Sequence, residues 1–205
     1  MKYIKCPKCE LNYIDADKQS VCSVCQEDRE DKTHKYTKIN EPARYNGRAI
    51  FFVFQNKDFY KESATGIIKA PYYDKGGDIP HHWLRLTKVK KGDIIFHCVD
   101  GRIQALSESK GEYRDFLYVD GSQGRKIECD YHILNTSLKI ENYRDVIITY
   151  CSKYEYQPFN KNGTGNQGYL FDICREVAKI FLSDIVNCNR SLATMCFIKD
   201  ILELL

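Results

Sequence analysis

The spacing of apolar and polar positions divides this chain into stretches of different texture. Large aliphatic side chains are sparse before residue 49, and short apolar runs begin there. AIFFVF (residues 49–54) is aromatic and β-branched, as a buried strand is. QNKDFYKESATG reads as a loop with one helical turn leading to GIIKAP, which ends at a proline. YYDKGGDIPHH is a polar loop. GDIIFHCVDGRIQALSESKG reads as a hairpin, because Asp100-Gly101 supplies the left-handed backbone that a two-residue turn requires. RKIECDYHIL alternates as a strand does, and YRDVIITYCSKY is a further strand or a short helix. From Gln167 the period changes. Leu170, Ile173, Cys174, Val177, Ala178, Phe181, Leu182 and Ile185 recur at helical spacing, and SLATMCFIKDILELL reads as a second helix. Strands followed by helices predict an α+β domain over residues 49–205, a curved sheet or small curved β-barrel with C-terminal helices.

The first 48 residues carry different chemistry. CPKC and CSVC stand twelve residues apart, so Cys6, Cys9, Cys22 and Cys25 form two knuckles suited to a tetrahedral site. Four thiolates at this spacing predict a structural Zn2+ with no open position for a water molecule. A redox CxxC normally stands once, in front of a helix, and disulfides are disfavoured in a reducing compartment. Residues 1–28 are therefore expected to be a zinc ribbon that folds only with its metal. Residues 29–48, dense in charge, are expected to be a linker. The other six cysteines are scattered singly, as small buried hydrophobes are.

Composition narrows the classes. Of 205 residues, 43% are hydrophobic, enough for a core, and no apolar run is long enough to cross a bilayer. The amino terminus lacks the apolar segment of a signal peptide, so a cytoplasmic protein is expected. A net charge of +3, from 31 basic and 28 acidic residues, neither demands nor excludes nucleic acid. Local clustering has to decide. Arg85, Lys88, Lys90 and Lys91 form one basic group, which either contacts phosphates or solvates a turn.

Several motifs bear on catalysis. GTGNQG (residues 163–168) fits the GxGxxG pattern of dinucleotide sites. That pattern needs a strand running directly into it and a second parallel strand after it. A proline-bearing loop precedes it here and only helices follow, so the dinucleotide reading fails on context. The glycines are instead expected to let backbone amides approach a partner at a helix amino terminus. Asn166 and Gln167 either present amides to that partner or cap the helix. Asp100, Glu108 and Lys110 imitate the acid and lysine spacing of metal-dependent nucleases, but on an expected hairpin and loop. His81 and His82 are adjacent, which on a strand points them to opposite sides. No constellation predicts an enzyme.

Taken in order, the segments resemble the EVE/YTH/PUA-like family, in the versions found in modification-dependent restriction systems. The resemblance rests on FFVFQN, Gly-x-x-x-Ala-Pro at residues 66–71, His-His-Trp at 81–83, VKKGDIIFH, GRIQAL and PFNKNGTGNQGYLF. It implies a curved barrel whose pocket accepts one modified base, flipped from DNA or taken from single-stranded RNA. Trp83 is then the stacking wall, with Phe54 or Tyr73 as a second. Gln55, Asn56, Asn166 and Gln167 make the polar contacts, and Lys69, Ala70 and Gly168 complete the pocket. Lys69 stands where the family has a tryptophan, which shifts the cage toward Tyr72 and Tyr73. The function implied is a non-enzymatic reader of modified DNA, the sensor of a restriction or defence system. RNA is the alternative ligand, a nuclease with an unrecognised metal site is the rival reading, and for a reader cleavage falls to a nuclease or NTPase partner or to a fused domain.

Overall fold

The structure, a computed structural model, describes residues 3–5, 13–15, 39–151 and 156–204. The expected zinc ligands Cys6, Cys9, Cys22 and Cys25 lie outside the described residues, as does most of the expected linker. Strands β1 (Tyr3–Lys5) and β2 (Tyr13–Asp15) pair antiparallel, with Ile4 opposite Ile14.

The main body is built around β4 (Arg48–Phe54). Its central residues are all buried, because both faces of the strand are covered. Ile50 and Phe52 belong to one core, and Ala49, Phe51 and Val53 to another. Ahead of it, β3 (Arg44–Tyr45) turns back onto β4, and Arg44 pairs with the fully buried Asp93 at 2.8 Å. Part of the expected linker thus packs on the main body.

After β4 come a 3-10 turn (Asn56–Asp58), helix α1 (Phe59–Thr65) and strand β5 (Ile67–Pro71). Gly66 ends α1 in the left-handed conformation, φ 66°. Helix α2 (His81–Leu84) and a 3-10 turn lead to β6 (Ile94–Val99), which lies parallel to β4. A parallel neighbour needs a crossover, and α1, β5 and α2 supply it. The turn at Asp100 and Gly101, φ 47° and 72°, connects β6 to β7 (Arg102–Ser109), as the Asp-Gly pair predicts. Strand β8 (Arg114–Leu117) and the long β9 (Gln123–Lys139) form a second hairpin. Strand β9 pairs with β5 and β8 over its first half and with β7 over its second.

Helix α3 (Arg144–Cys151) settles the strand-or-helix alternative for that segment. The helix expected from Gln167 begins later. Residues Leu170–Asp172 form β10, antiparallel to β4, and only then does α4 (Arg175–Cys188) start. The apolar stripe misled there because a buried strand running into a buried helix face looks continuous. Helix α4 lays Val177, Ala178, Phe181, Leu182 and Ile185 against the sheet, each at 0% exposure. A 3-10 turn (Arg190–Thr194) and α5 (Cys196–Leu204) complete the chain's described part. The sheet runs β10-β4-β6-β7-β9-β5. Among the described residues no ladder joins β5 to β10, so the architecture is α+β with a curved, open sheet rather than a closed barrel. No described helix is long and apolar enough to cross a membrane.

Candidate nucleic-acid interface

The β8–β9 hairpin and β5 make one three-stranded patch, with Lys69 opposite Lys126 and Lys126 opposite Arg114. Directly opposed residues on antiparallel strands share a face, so three cations stand in a row. Aromatic rings lie among them. The Lys69 ammonium sits 5.1 Å from the Phe116 ring and 5.2 Å from the Tyr118 ring, and Lys126 sits 5.9 Å from Phe116. Tyr118 is held there by the absence of a side chain at Gly124. A Cβ at Gly124 would lie 2.7 Å from that ring and 2.6 Å from the Ala70 carbonyl oxygen. The hairpin tip turns at Asp120 and Gly121, with Tyr118 N–H donating to Ser122 O at 2.8 Å. Leu117 and Val119 beside it are exposed.

A cavity of about 680 Å³ opens against this hairpin, lined by Tyr72, Asp115, Phe116, Leu117, Gln123 and Lys126, with Gly121 at its edge. The Tyr72 hydroxyl donates to Asp115, and its ring carries the Arg125 guanidinium 3.9 Å from its centre. Arg125 is fully buried, and none of its three side-chain nitrogens has a hydrogen-bond partner among the described residues. The structure gives it cation–π contacts there, with Tyr72 and, at 6.0 Å, with Tyr113.

Behind Lys69 lies a buried polar network. Gln55 Nε2 donates to Glu62 Oε2 at 2.5 Å and to the Tyr131 hydroxyl at 2.9 Å. Gln55 Oε1 lies 2.6 Å from His97 Nδ1, and His97 Nε2 lies 2.7 Å from Ser107 Oγ. The Tyr169 hydroxyl donates to Glu62 Oε2 at 2.8 Å and accepts from the Lys69 amide at 3.1 Å. The Tyr131 hydroxyl donates to the Ile67 carbonyl, 3.1 Å away. One assignment of protons satisfies every pair, with Nδ1 of a neutral His97 carrying the hydrogen. Burial favours that neutral form, lowering the imidazole to about 3. Burial also raises the Glu62 carboxyl to about 7. Burial raises the Tyr118 phenol, and the nearby carboxylates of Glu62 and Asp58 add to it.

The structure divides the pocket residues expected from sequence into two groups. Gln55, Lys69 and Ala70 lie at this site, with Tyr73 beside Tyr72 at 6.3 Å. Phe54, Trp83 and Gly168 gather around β10 instead. Phe54 packs edge-on to Phe171 at 5.9 Å, and Trp83 leans on the core of Ala49, Phe51 and Val53. A Cβ at Gly168 would come 2.3 Å from the Phe171 ring, and one at Gly165 would come 3.1 Å from Phe54. At both glycines the close neighbour in the structure is a ring of the chain itself. Asn166 Nδ2 donates to the Gln157 carbonyl at 2.7 Å, whereas Gln167 is exposed. Neither stands at a helix amino terminus, since α4 begins at Arg175. Tyr169 joins the groups, its hydroxyl in the network and its amide donating to His82 Nδ1 at 3.1 Å. Asn56 is exposed, φ 41°, and accepts from the Asp100 amide at 3.2 Å.

Of the basic group, Arg85 is buried and pairs with Asp172 at 3.0 Å while donating to the Asn40 carbonyl. Lys88 pairs with Glu41. Lys90 and Lys91 are exposed. Asp100 and Glu108 occupy the turn and far end of one hairpin, roughly 26 Å apart along the strand. Glu108 is paired with Arg48 at 2.7 Å. Among the described residues no cluster of three or more His, Cys, Asp or Glu is placed to hold a metal ion.

Phe116, Tyr118, Lys126, Glu62 and Tyr169 were not singled out by sequence. A signal for the hairpin exists in DFLYVDGSQGRK, an aromatic run broken by Asp-Gly, the same turn chemistry that marked residues 100–101. Nothing local marks Glu62; it is buried because it shares the inner face of α1 with Phe59, three residues earlier.

No protein-family model matches the chain. No curated protein matches it either. Among solved structures it is similar to the YTH domain of the Zygosaccharomyces rouxii MRB1 protein, determined in complex with N6-methyladenosine RNA. That likeness has 13% identity and a TM-score of 0.45 over 72% of this chain and 91% of the other. It is also similar to the N-terminal domain of Staphylothermus marinus McrB, with 11% identity and a TM-score of 0.43 over 71% and 98%. A third is Rpa0253 from Rhodopseudomonas palustris, with 13% identity and a TM-score of 0.41 over 65% and 90%.

Proposed function

We propose that the chain is a nucleic-acid reader that takes one modified base of DNA into the cavity against the β8–β9 hairpin. One observation carries the reading: a cavity of about 680 Å³ walled by Phe116 and Tyr72 and rimmed by Lys126, with Lys69 against the Phe116 and Tyr118 rings. Its volume falls in the range of roughly 300–1,000 Å³ typical of small-ligand sites. Aromatic faces stack bases of any sequence, and ammonium groups at the rim attract the phosphates on either side. The sequence resemblance to EVE/YTH/PUA-like readers supports the same ligand class. A base taken from a duplex costs a few kcal/mol of unstacking, which stacking inside the cavity offsets.

The test is a binding titration across cytosine- and adenine-modified oligonucleotides, with unmodified DNA and matching RNA as further arms. Tyr118→Ala and Phe116→Ala should each weaken the preferred oligonucleotide by roughly 1–3 kcal/mol, the worth of one stacked base. Trp83→Ala serves as the competing arm. If it alone removes the preference and the hairpin variants do not, the pocket belongs beside β10. Tightest binding to modified RNA would replace DNA as the ligand.

In this reading the protein senses and does not cut, and a nuclease or NTPase partner acts on what it finds. Cys6, Cys9, Cys22 and Cys25 would hold one structural Zn2+, their thiolates matching that metal's preference. Metal analysis of protein prepared without chelator should give one zinc per chain, lost in Cys22→Ser. Disulfides among these four cysteines would sink that assignment.

A further inference from the structure

Cys151 ends α3 and Cys174 caps the start of α4, and their sulfurs lie 3.4 Å apart although 23 positions separate them in sequence. Both side chains are buried, at 1% and 6% exposure. No other pair of described cysteines is joined in this way: Cys98 and Cys129 are buried singly and Cys188 is exposed. A second cavity, of about 330 Å³, reaches Cys174 and is lined there by Tyr45, Gln157, Asp172 and Arg175. We infer that Cys151 and Cys174 form a reactive dithiol site for a small hydroperoxide, which converts the pair to an intramolecular disulfide. The inference does not rest on the nucleic-acid reading and stands or falls separately.

The geometry assigns the roles. Cys174 borders the cavity, and its own amide donates to Gln157 Oε1 at 3.1 Å, which fixes the residue at the head of the helix. The two sulfurs share one hydrogen bond, and this bond, helped by the Val177 amide, holds the Cys174 thiol below its ordinary range. The same bond, with burial, pushes Cys151 up, so Cys174 is the sulfur that ionises first. Burial instead raises Cys98 and Cys129 to about 12, which leaves them inert.

The reaction balances with the hydroperoxide as sole oxidant. The Cys174 thiolate attacks the terminal oxygen, the O–O bond breaks, and the leaving alkoxide or hydroxide takes up a proton. Cys174 is then a sulfenic acid. Cys151 sulfur attacks the Cys174 sulfur, the S–O bond breaks, and the hydroxide leaves as water with the Cys151 proton. With hydrogen peroxide the sum is two thiols and one peroxide to one disulfide and two waters. The sulfurs need only close from 3.4 Å to about 2.05 Å. The bond would tie α3 to α4 across the segment that carries GTGNQG.

The full chain is treated with about one equivalent of hydrogen peroxide, alkylated and mapped without reductant. A cross-linked peptide joining Cys151 to Cys174, with two fewer free thiols per chain, is the expected result. Cys151→Ser, which removes the resolving sulfur, should leave a sulfenic acid on Cys174 that dimedone traps. The idea is overturned if both cysteines remain free while Cys188 or the amino-terminal cysteines oxidise. It is also overturned if dimedone labels Cys151 or Cys188 in place of Cys174. Should Cys151→Ser fail to fold, the wild-type peptide map decides alone.

Discussion

Gln55→Leu is expected to lower the stability of the folded chain by about 3–5 kcal/mol, because His97 Nδ1 loses its acceptor while Glu62 and Tyr131 each lose one of their hydrogen bonds. Leucine fills nearly the same space, so the loss is one of hydrogen bonds rather than of packing. Gln55 is 3% exposed and bonds Glu62, Tyr131 and His97 at 2.5, 2.9 and 2.6 Å. Each abandoned buried donor or acceptor costs roughly 1–3 kcal/mol, and local relaxation recovers part of the sum. Natural domains are stable by only about 5–15 kcal/mol, so the variant should unfold at far lower urea. Asn56→Ala is the control. Its side chain is exposed and accepts one bond of 3.2 Å, and alanine at its positive φ adds strain, so its stability should fall by only about 1–2 kcal/mol. Equal midpoints for Gln55→Leu and Asn56→Ala would mean the network contributes nothing.

Glu62→Gln should leave stability unchanged in acid and raise it by roughly 3 kcal/mol above neutral pH. The sign follows from burial, which lifts the carboxyl from 4.5 to about 7 in the folded chain. Between those values the folded state keeps a proton that the unfolded state has released. The wild type therefore loses stability as pH rises from about 4.5 to about 7, and is level beyond. Glutamine keeps an acceptor oxygen for Gln55 and Tyr169 but has no proton to lose. Other groups titrate in both proteins. Burial lowers His97 to about 3 and His82 to about 4, so these add stability as pH rises toward 6.5. Asp172, raised to about 6 by burial, acts in the same direction as Glu62. Only the difference between wild type and variant isolates Glu62, and chemical denaturation from pH 4 to 8 measures it. A difference that does not change with pH would place the Glu62 carboxyl in water.

Some of the architecture was legible because it is written locally. AIFFVF could be read as a buried strand from its side chains alone, and it is β4. The Asp100-Gly101 turn could be read because few residue pairs accept positive φ in succession, and both adopt it. The stripe from Val177 to Ile185 showed a helix because its period is that of the helix itself, and those residues are fully buried. The start of that helix was not legible. Leu170 and Phe171 are apolar for the sake of β4, to which they pair, and only the pairing shows it.

The candidate site shows the same division more sharply. The family resemblance singled out Gln55 and Lys69, and the fold links them through Glu62 and Tyr169. It also singled out Trp83 and Gly168, which the fold places beside β10 against Phe171 and the apolar core. Phe116, Tyr118 and Lys126 belong to a hairpin that meets β5 only because β9 pairs with β5 and β8 at once. Glu62 is acidic in a short polar helix, and only tertiary packing buries it against Gln55 and Tyr169. By itself the sequence determined elements whose cause lies within a few neighbouring residues: strand, turn and helix face. The tertiary structure decided which rings and charges share a cavity, because that depends on strand register between segments about 50 to 100 positions apart, and no local pattern encodes it.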